Sequence, residues 1–488
     1  LRLIQEPGQR ANGAPEDGTD ISSSEPTNEK EENRASTPSD TTNLTTGSNS
    51  NEIKPRNDIP GEQRRQQRII TLLLRVLRWL KPLNNSAQEI QALDGVRAIA
   101  ALSIVLFHSL LFIVFEATPL SKAMNHAWYY LSTGVQLFFV LSGFLLFMPY
   151  ARAMLLGRPL PSILRFYQRR ALRILPAYWV CLSILLWLKR DDPRTFLPDN
   201  LISHYLLIQD AFPRFNRAIN GPFWTLAVEA QFYLLLPLFC WGIAALVGKS
   251  RSLGRIALGI AILITLAMAL RTLDLYIVGT LPTNGALADK TFGQAFVVIT
   301  MGSQGKFIEV FAVGMLCNAL YVASVEGKFL SLHATRRLSW SLFAFALAMI
   351  WICSQRVDIS DVLYKSGYHW GYDADFYSLF VGLGYGGLVL AAVWGGRLLQ
   401  APFSAPPLRF VGLISYSLYM WHLPILHGLP PYLTKAPLWL RLVMVFLISY
   451  LSYQLVERPF LQWRRKTHTG EKPLPLPNDA EKGKVQTA

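Results

Sequence analysis

The sequence predicts an all-α fold: a polytopic membrane bundle of about ten transmembrane helices, preceded by a disordered N-terminal tail. Composition is the first ground. Of 488 residues, 51% are hydrophobic and 16% charged, and the mean hydropathy is +0.26. The second is length: apolar runs of about twenty residues recur, enough to cross a hydrocarbon layer about 30 Å thick. The third is continuity, because strand alternation would be needed for a barrel and these runs do not alternate.

Taken in order, residues 1–62 are rich in Ser, Thr, Asn, Glu, Pro and Gly, and the first aromatic residue in the chain is Trp79. Such a segment cannot bury enough apolar surface to offset its ordering entropy, and a disordered cytoplasmic tail is expected. Its polar start lacks the pattern of a cleavable signal peptide. Since the sequence opens on Leu1 rather than Met, the true start is expected upstream or to have been removed. Residues 63–89 hold Arg64-Arg65-Gln66-Gln67-Arg68 and an apolar run broken by Arg75 and Arg78. A basic amphipathic helix lying in the inner headgroup layer fits that pattern.

Ten spans follow, at 98–116, 128–148, 174–189, 223–247, 254–271, 305–324, 338–354, 376–394, 408–428 and 436–456. An even number returns both termini to one side. The loop 149–173 carries Arg152, Arg158, Arg165, Arg169, Arg170 and Arg173 with no acid, so the positive-inside rule makes that side, and both termini, cytoplasmic. Loop 189–222, with Lys189, Arg190, Arg194, Arg214 and Arg217, runs against the assignment. The stretch 272–304 is Gly/Thr-rich and only partly apolar, fitting a re-entrant piece or short helix, and residues 461–488 read as a disordered polar tail.

The net charge of +15 understates the basic character of the membrane part, because residues 1–63 hold twelve acids and six bases. Arginines flanking apolar spans mark topology and anionic lipid, so nucleic-acid binding is rejected. Cys181, Cys240, Cys317 and Cys353 fall in or beside apolar spans without CxxC or metal-ligand spacing to histidine; inert packing is expected, and no metal site.

Four constellations carry candidate chemistry. In the first span His108 is the only strongly polar side chain between Ala98 and Phe115. Ten residues past Ala98, it would sit about 15 Å in, near the midplane, where an ionisable group is costly and marks either a functional site or an interhelical hydrogen bond. Asp94 and Arg97, three apart on one face, are expected to pair or to cap the helix start. The Gly134–Phe144 segment places Gly143 and Ser142 at small-residue positions suited to close packing. Arg170 and Arg173, also three apart, present two planar donor forks at the bilayer boundary, suited to phosphate oxygens or to headgroup anchoring. Finally Glu229, seven residues after Pro222, lies inside a span and must be protonated or paired with a cation. With His108 it could form an acid–base couple, or a transporter's proton relay.

Together and in order these segments resemble the acyltransferase 3 family of integral membrane acyltransferases. The matching pieces are Leu93-Asp94-Gly95-Val96-Arg97 leading to His108, Phe138-Phe139-Val140-Leu141-Ser142-Gly143-Phe144, and Arg170-Ala171-Leu172-Arg173 running into Pro176 and Tyr178. Then come Trp224-Thr225-Leu226 with Glu229, the run Ile414–Pro424 containing Tyr419 and His422, and Val456-Glu457-Arg458-Pro459. The resemblance covers residues 90–460.

It implies a ten-helix enzyme of the cytoplasmic (inner) membrane that takes an acyl group, usually acetyl, from acyl-CoA as co-substrate, with no permanently bound cofactor. The acceptor would be a hydroxyl on a glycan, a lipid-linked sugar or another small molecule. His108 becomes the catalytic residue, as base or transient acyl carrier, and Arg170 and Arg173 become contacts for coenzyme A phosphates. Glu229 is expected to orient the imidazole, with Asp94, Arg97, Ser142, Trp224, Tyr419 and His422 as acceptor-lining or supporting residues. Many relatives carry a C-terminal hydrolase-type domain; here any such extracytoplasmic partner is expected to be a separate protein. The competing reading is a proton-coupled transporter or flippase of a phosphate-bearing lipid or sugar. A membrane scaffold would not need ionisable groups mid-span.

Overall fold

A computed structural model describes residues 90–114, 130–212, 215–280, 306–354, 377–427 and 435–467. The tail 1–62, the basic segment 63–89, residues 281–304 and most of 461–488 lie outside the described residues. Everything described is helix or short connection. The elements are α1 (Gln91–Val114), α2 (Gly134–Leu156), α3 (Ile163–Leu188), the short α4 (Pro198–Tyr205), α5 (Phe223–Val247), α6 (Leu253–Thr280) and α7 (Ile308–Val325). They continue with α8 (Leu332–Ser354), α9 (Tyr377–Trp394), the short α10 (Arg397–Phe403), α11 (Pro406–Leu426), α12 (Leu438–Ser452) and α13 (Arg458–Thr467). A π-helical turn, Tyr453–Glu457, joins the last two.

Each of the ten expected spans coincides with one long helix. Among the described residues nine helices are long and apolar enough to cross a membrane, the last running from Leu438 to Trp463. The ninth expected span, α11, is not one of them. It carries Arg409, Ser415, Tyr416, Ser417, Tyr419 and His422, which dilute its hydropathy, and it buries most of them against its neighbours.

The boundaries moved where charge flanks an apolar run. The Arg-rich stretch expected as loop 149–173 is mostly helix: α2 continues to Leu156, where Gly157 at φ +66° ends it, and α3 begins at Ile163. Hydropathy senses the apolar window, whereas backbone hydrogen bonding continues past it while long arginine side chains reach toward polar surroundings. The stretch expected as loop from 272 likewise continues α6 to Thr280. At the other end, α1 starts at Gln91 instead of Ala98. His108 therefore lies about 25 Å along its helix, with the apolar sequence of 110–114 still to follow.

At the centre α2 and α7 run parallel and in backbone contact. Phe139 stacks on Phe311, Phe144 lies against Tyr321, and Lys328 donates to the Leu155 carbonyl at the far end. A Cβ on Gly143 would stand 2.0 Å from the Phe311 carbonyl oxygen, and one on Gly314 would stand 2.1 Å from that of Val140. Only glycine permits that approach at both positions. Around this pair, α1 packs on α2 and α11, α9 on α7 and α8, α6 on α5 and α7, and α12 on α11. All four cysteines are buried and free, as inert packing requires.

Candidate functional site

The candidate site is a column of polar side chains between α1, α2, α3, α5 and α11. Helices α1 and α11 run parallel there: a Cβ on Gly412 would stand 2.0 Å from the Asp94 carbonyl oxygen, and His108 meets His422 near the other ends. Arg97 and His108 on α1 are about 16 Å apart along the axis, so the column has an arginine end and a histidine end.

At the arginine end Arg97 donates to Asp94 at 3.1 Å, the i, i+3 pairing expected, and Arg409 Nε stands 3.9 Å from the other carboxylate oxygen. Arg170 and Arg173 share a face of α3 and both line a cavity of ≈130 Å³, together with Arg97, Ser142, Thr225, Glu229, Tyr233 and Tyr419. Arg170 lies over the Phe166 ring at 5.9 Å, and its Nε is buried without a hydrogen-bond partner. Arg173 Nη1 is 3.9 Å from Glu457 Oε2, too far for a hydrogen bond. Glu457, which sequence reasoning did not select, is buried and accepts from Ser417 Oγ at 2.5 Å. The π-helical turn brings it there.

In the middle, Glu229 Oε1 accepts from Ser142 Oγ at 2.6 Å and from the Tyr233 hydroxyl. Two hydroxyl donors on one oxygen suit a carboxylate, which only accepts. Ser142 is thus a donor to the site as well as a small residue beside the α2–α7 crossing. Trp224 packs toward Phe307, ring centroids 6.0 Å apart, rather than lining the cavity. Thr225 and Tyr419 hydroxyls are hydrogen-bonded at 2.7 Å, tying α5 to α11 across the cavity wall.

At the histidine end, His422 Nε2 lies 3.2 Å from His108 Nδ1, with ring centroids 4.9 Å apart. His108 Nδ1 is also 3.0 Å from the Ile104 carbonyl. The expected Glu229–His108 contact does not form among the described residues: Glu229, early in α5, faces α2, while His108, late in α1, faces α11. His108 does not line the cavity either, whereas Tyr419, whose ring lies 5.7 Å from that of His422, does. The arrangement offers anion-binding donors at one end, a polar throat in the middle and a paired imidazole at the other.

The chain is similar to the peptidoglycan O-acetyltransferase OatA of Listeria monocytogenes, 26% identical over 77% of this chain and 56% of the relative. It is similar to the O-acetyltransferase OatA of Staphylococcus aureus, 24% identical over 77% of this chain and 57% of that protein. The putative peptidoglycan O-acetyltransferase YrhL of Bacillus subtilis is 26% identical over 76% and 54%. The chain thus spans little more than half the length of these curated relatives. No solved structure matches it. Residues 90–456, which include every helix of the polar column, match the family described as an acyltransferase domain, and the chain belongs to this acyltransferase 3 family.

Proposed function

We propose that this protein is a membrane O-acyltransferase that moves an acyl group, acetyl in the first instance, from cytoplasmic acyl-CoA to a hydroxyl of a glycan or lipid-linked sugar. The observation that carries this reading is one cavity in which Arg170, whose buried Nε has no hydrogen-bond partner, and Arg173 converge with Glu229 and Tyr419. Guanidinium forks bind phosphate oxygens in two-point fashion. They therefore supply a dock for the coenzyme A phosphates, with the thioester extending toward Tyr419 and the histidine pair. The names of the relatives favour acetyl as the group and a cell-wall glycan as the acceptor.

In this mechanism His108 removes the proton of the acceptor hydroxyl as that oxygen attacks the thioester carbonyl. The carbon–sulfur bond then breaks, and the coenzyme A thiolate takes the proton back from the imidazolium. Glu229 keeps Tyr233 and Ser142 oriented at the throat. The cytoplasmic assignment of the arginine end follows from the charge of residues 149–173.

The test uses purified protein in liposomes with labelled acetyl-CoA and a glycan acceptor. Thiol release and label transfer should be lost in His108→Ala, and Arg170→Ala/Arg173→Ala should raise the KM for acetyl-CoA. Folded wild-type protein that releases no thiol from several acyl-CoAs, yet moves a phosphate-bearing lipid across the bilayer, would overturn the proposal in favour of a transporter.

A further inference from the structure

The histidine pair has a directionality that its contacts define. A carbonyl oxygen only accepts, so a ring nitrogen held against one carries the hydrogen. His422 Nδ1 lies 2.7 Å from the Tyr419 carbonyl and 3.2 Å from that of Leu418. In neutral His422 the hydrogen is therefore on Nδ1, and Nε2 is a bare lone pair. That lone pair faces His108 Nδ1 at 3.2 Å, and the other neighbour of His108 Nδ1 is the Ile104 carbonyl at 3.0 Å. Both neighbours accept, so His108 carries its hydrogen on Nδ1.

We propose that His422 is a positioning residue that holds His108 in the Nδ1–H tautomer and so keeps His108 Nε2 as the basic nitrogen. The proposal rests on the acyltransferase reading for its purpose, though not for its geometry. A buried carboxylate commonly does this work for a catalytic histidine. Here a neutral imidazole does it, itself anchored on the α11 backbone, which places no net charge beside the resting His108. When His108 Nε2 takes a proton, the positive charge spreads to Nδ1–H, whose partner is already an acceptor in place. His422 is 0% exposed, which also fixes the ring by packing. The two side chains lie 314 positions apart in sequence, so only the parallel packing of α1 and α11 joins them.

The experiment records ring-nitrogen resonances of ¹⁵N-histidine-labelled full-length protein in lipid bilayers without substrate. The His108 signals are identified by their loss in His108→Gln. In the wild type, His108 should show a protonated Nδ1 and an unprotonated Nε2. In His422→Leu, which leaves only the Ile104 carbonyl to hold the Nδ1 hydrogen, the His108 signal should gain a fraction of the Nε2–H form, and kcat for acyl transfer should fall by roughly tenfold with little change in the KM for acyl-CoA. His422→Gln, whose amide oxygen can accept in place of Nε2, should recover most of both. A wild-type His108 protonated on Nε2, or a His422→Leu protein with unchanged tautomer and kcat, would overturn the assignment. The wild-type spectrum does not depend on a variant folding. The tautomer is read without turnover, so a failed acyltransferase assay leaves this result standing or falling on its own.

Discussion

Two groups of buried charge sit in the same bundle and behave differently. Across α6, α7 and α9, Arg271 Nη1 donates to Glu309 Oε1 and to Ser378 Oγ, and Ser378 donates to the same carboxylate oxygen, each at 2.6 Å. Phe307 lies 5.5 Å from the guanidinium carbon. In the column around α3 and α11, by contrast, the cation–carboxylate approach of Arg173 and Glu457 is 3.9 Å, and Arg170 is buried with no hydrogen-bonded partner on Nε. The first group is a triangle of short contacts through Arg271 Nη1 that joins three helices, although Arg271 Nε and Nη2 are buried without a hydrogen-bond partner. The second leaves donors on a cavity wall. Burial of charge in an apolar span therefore does not by itself mark a site; what marks it is charge whose partners are held at a distance.

That contrast can be broken from either side. The largest effect is expected from Arg271→Leu, which leaves the buried Glu309 carboxylate without its cation and with the Ser378 hydroxyl as its remaining donor. About 3–5 kcal/mol of stability should be lost, seen as a collapse of the melting temperature in detergent. Replacing Arg271, Glu309 and Ser378 together by apolar residues of similar size should recover most of it, because the desolvation of both charges is removed along with their attraction. Next, Gly143→Val forces a side chain into the Phe311 carbonyl and should cost about 1–3 kcal/mol, read by the same melt. Arg170→Ala/Arg173→Ala should barely move the melt, yet raise the KM for acetyl-CoA by about tenfold or more; a melt as damaged as that of Arg271→Leu would erase the distinction. Smallest of all, Trp351→Ala on α8, where only 17% of the apolar window is buried in the protein, should stay within about 0.5 kcal/mol.

Much of this was legible in the sequence, and the reasons for the gaps are physical. Ten spans could be read because lipid demands length and apolarity, which composition records directly. The Arg97–Asp94 pair and the shared face of Arg170 and Arg173 followed from helical spacing, which is local. Arg271 and Glu309 carried the same signal as His108 and Glu229, ionisable groups inside apolar runs, and should have been weighed with them. What spacing could not supply was partnership across the bundle. Nothing in the sequence sets His422 beside His108 or turns Glu229 toward Ser142, because both depend on which faces α1, α5 and α11 present. Glu457 is visible in the sequence as part of a motif but not by its role, since its approach to Arg173 depends on a turn of unusual width.

That turn has a consequence for how the bundle can vary. From Tyr453 to Glu457 the backbone closes a wider loop than the helices on either side of it. One surplus residue is absorbed there, and it resets the angular phase of everything after it, as a half-tooth offset resets a gear. Upstream, α12 presents much of its surface outward, with Trp439, Val443, Leu447 and Leu451 exposed. Downstream of the offset, Glu457 and Arg458 turn inward and are buried. Side-chain swaps in this rod are local events, but a single-residue insertion or deletion between Ser452 and Arg458 rotates one half against the other. The rod therefore tolerates changes of letter and resists changes of count.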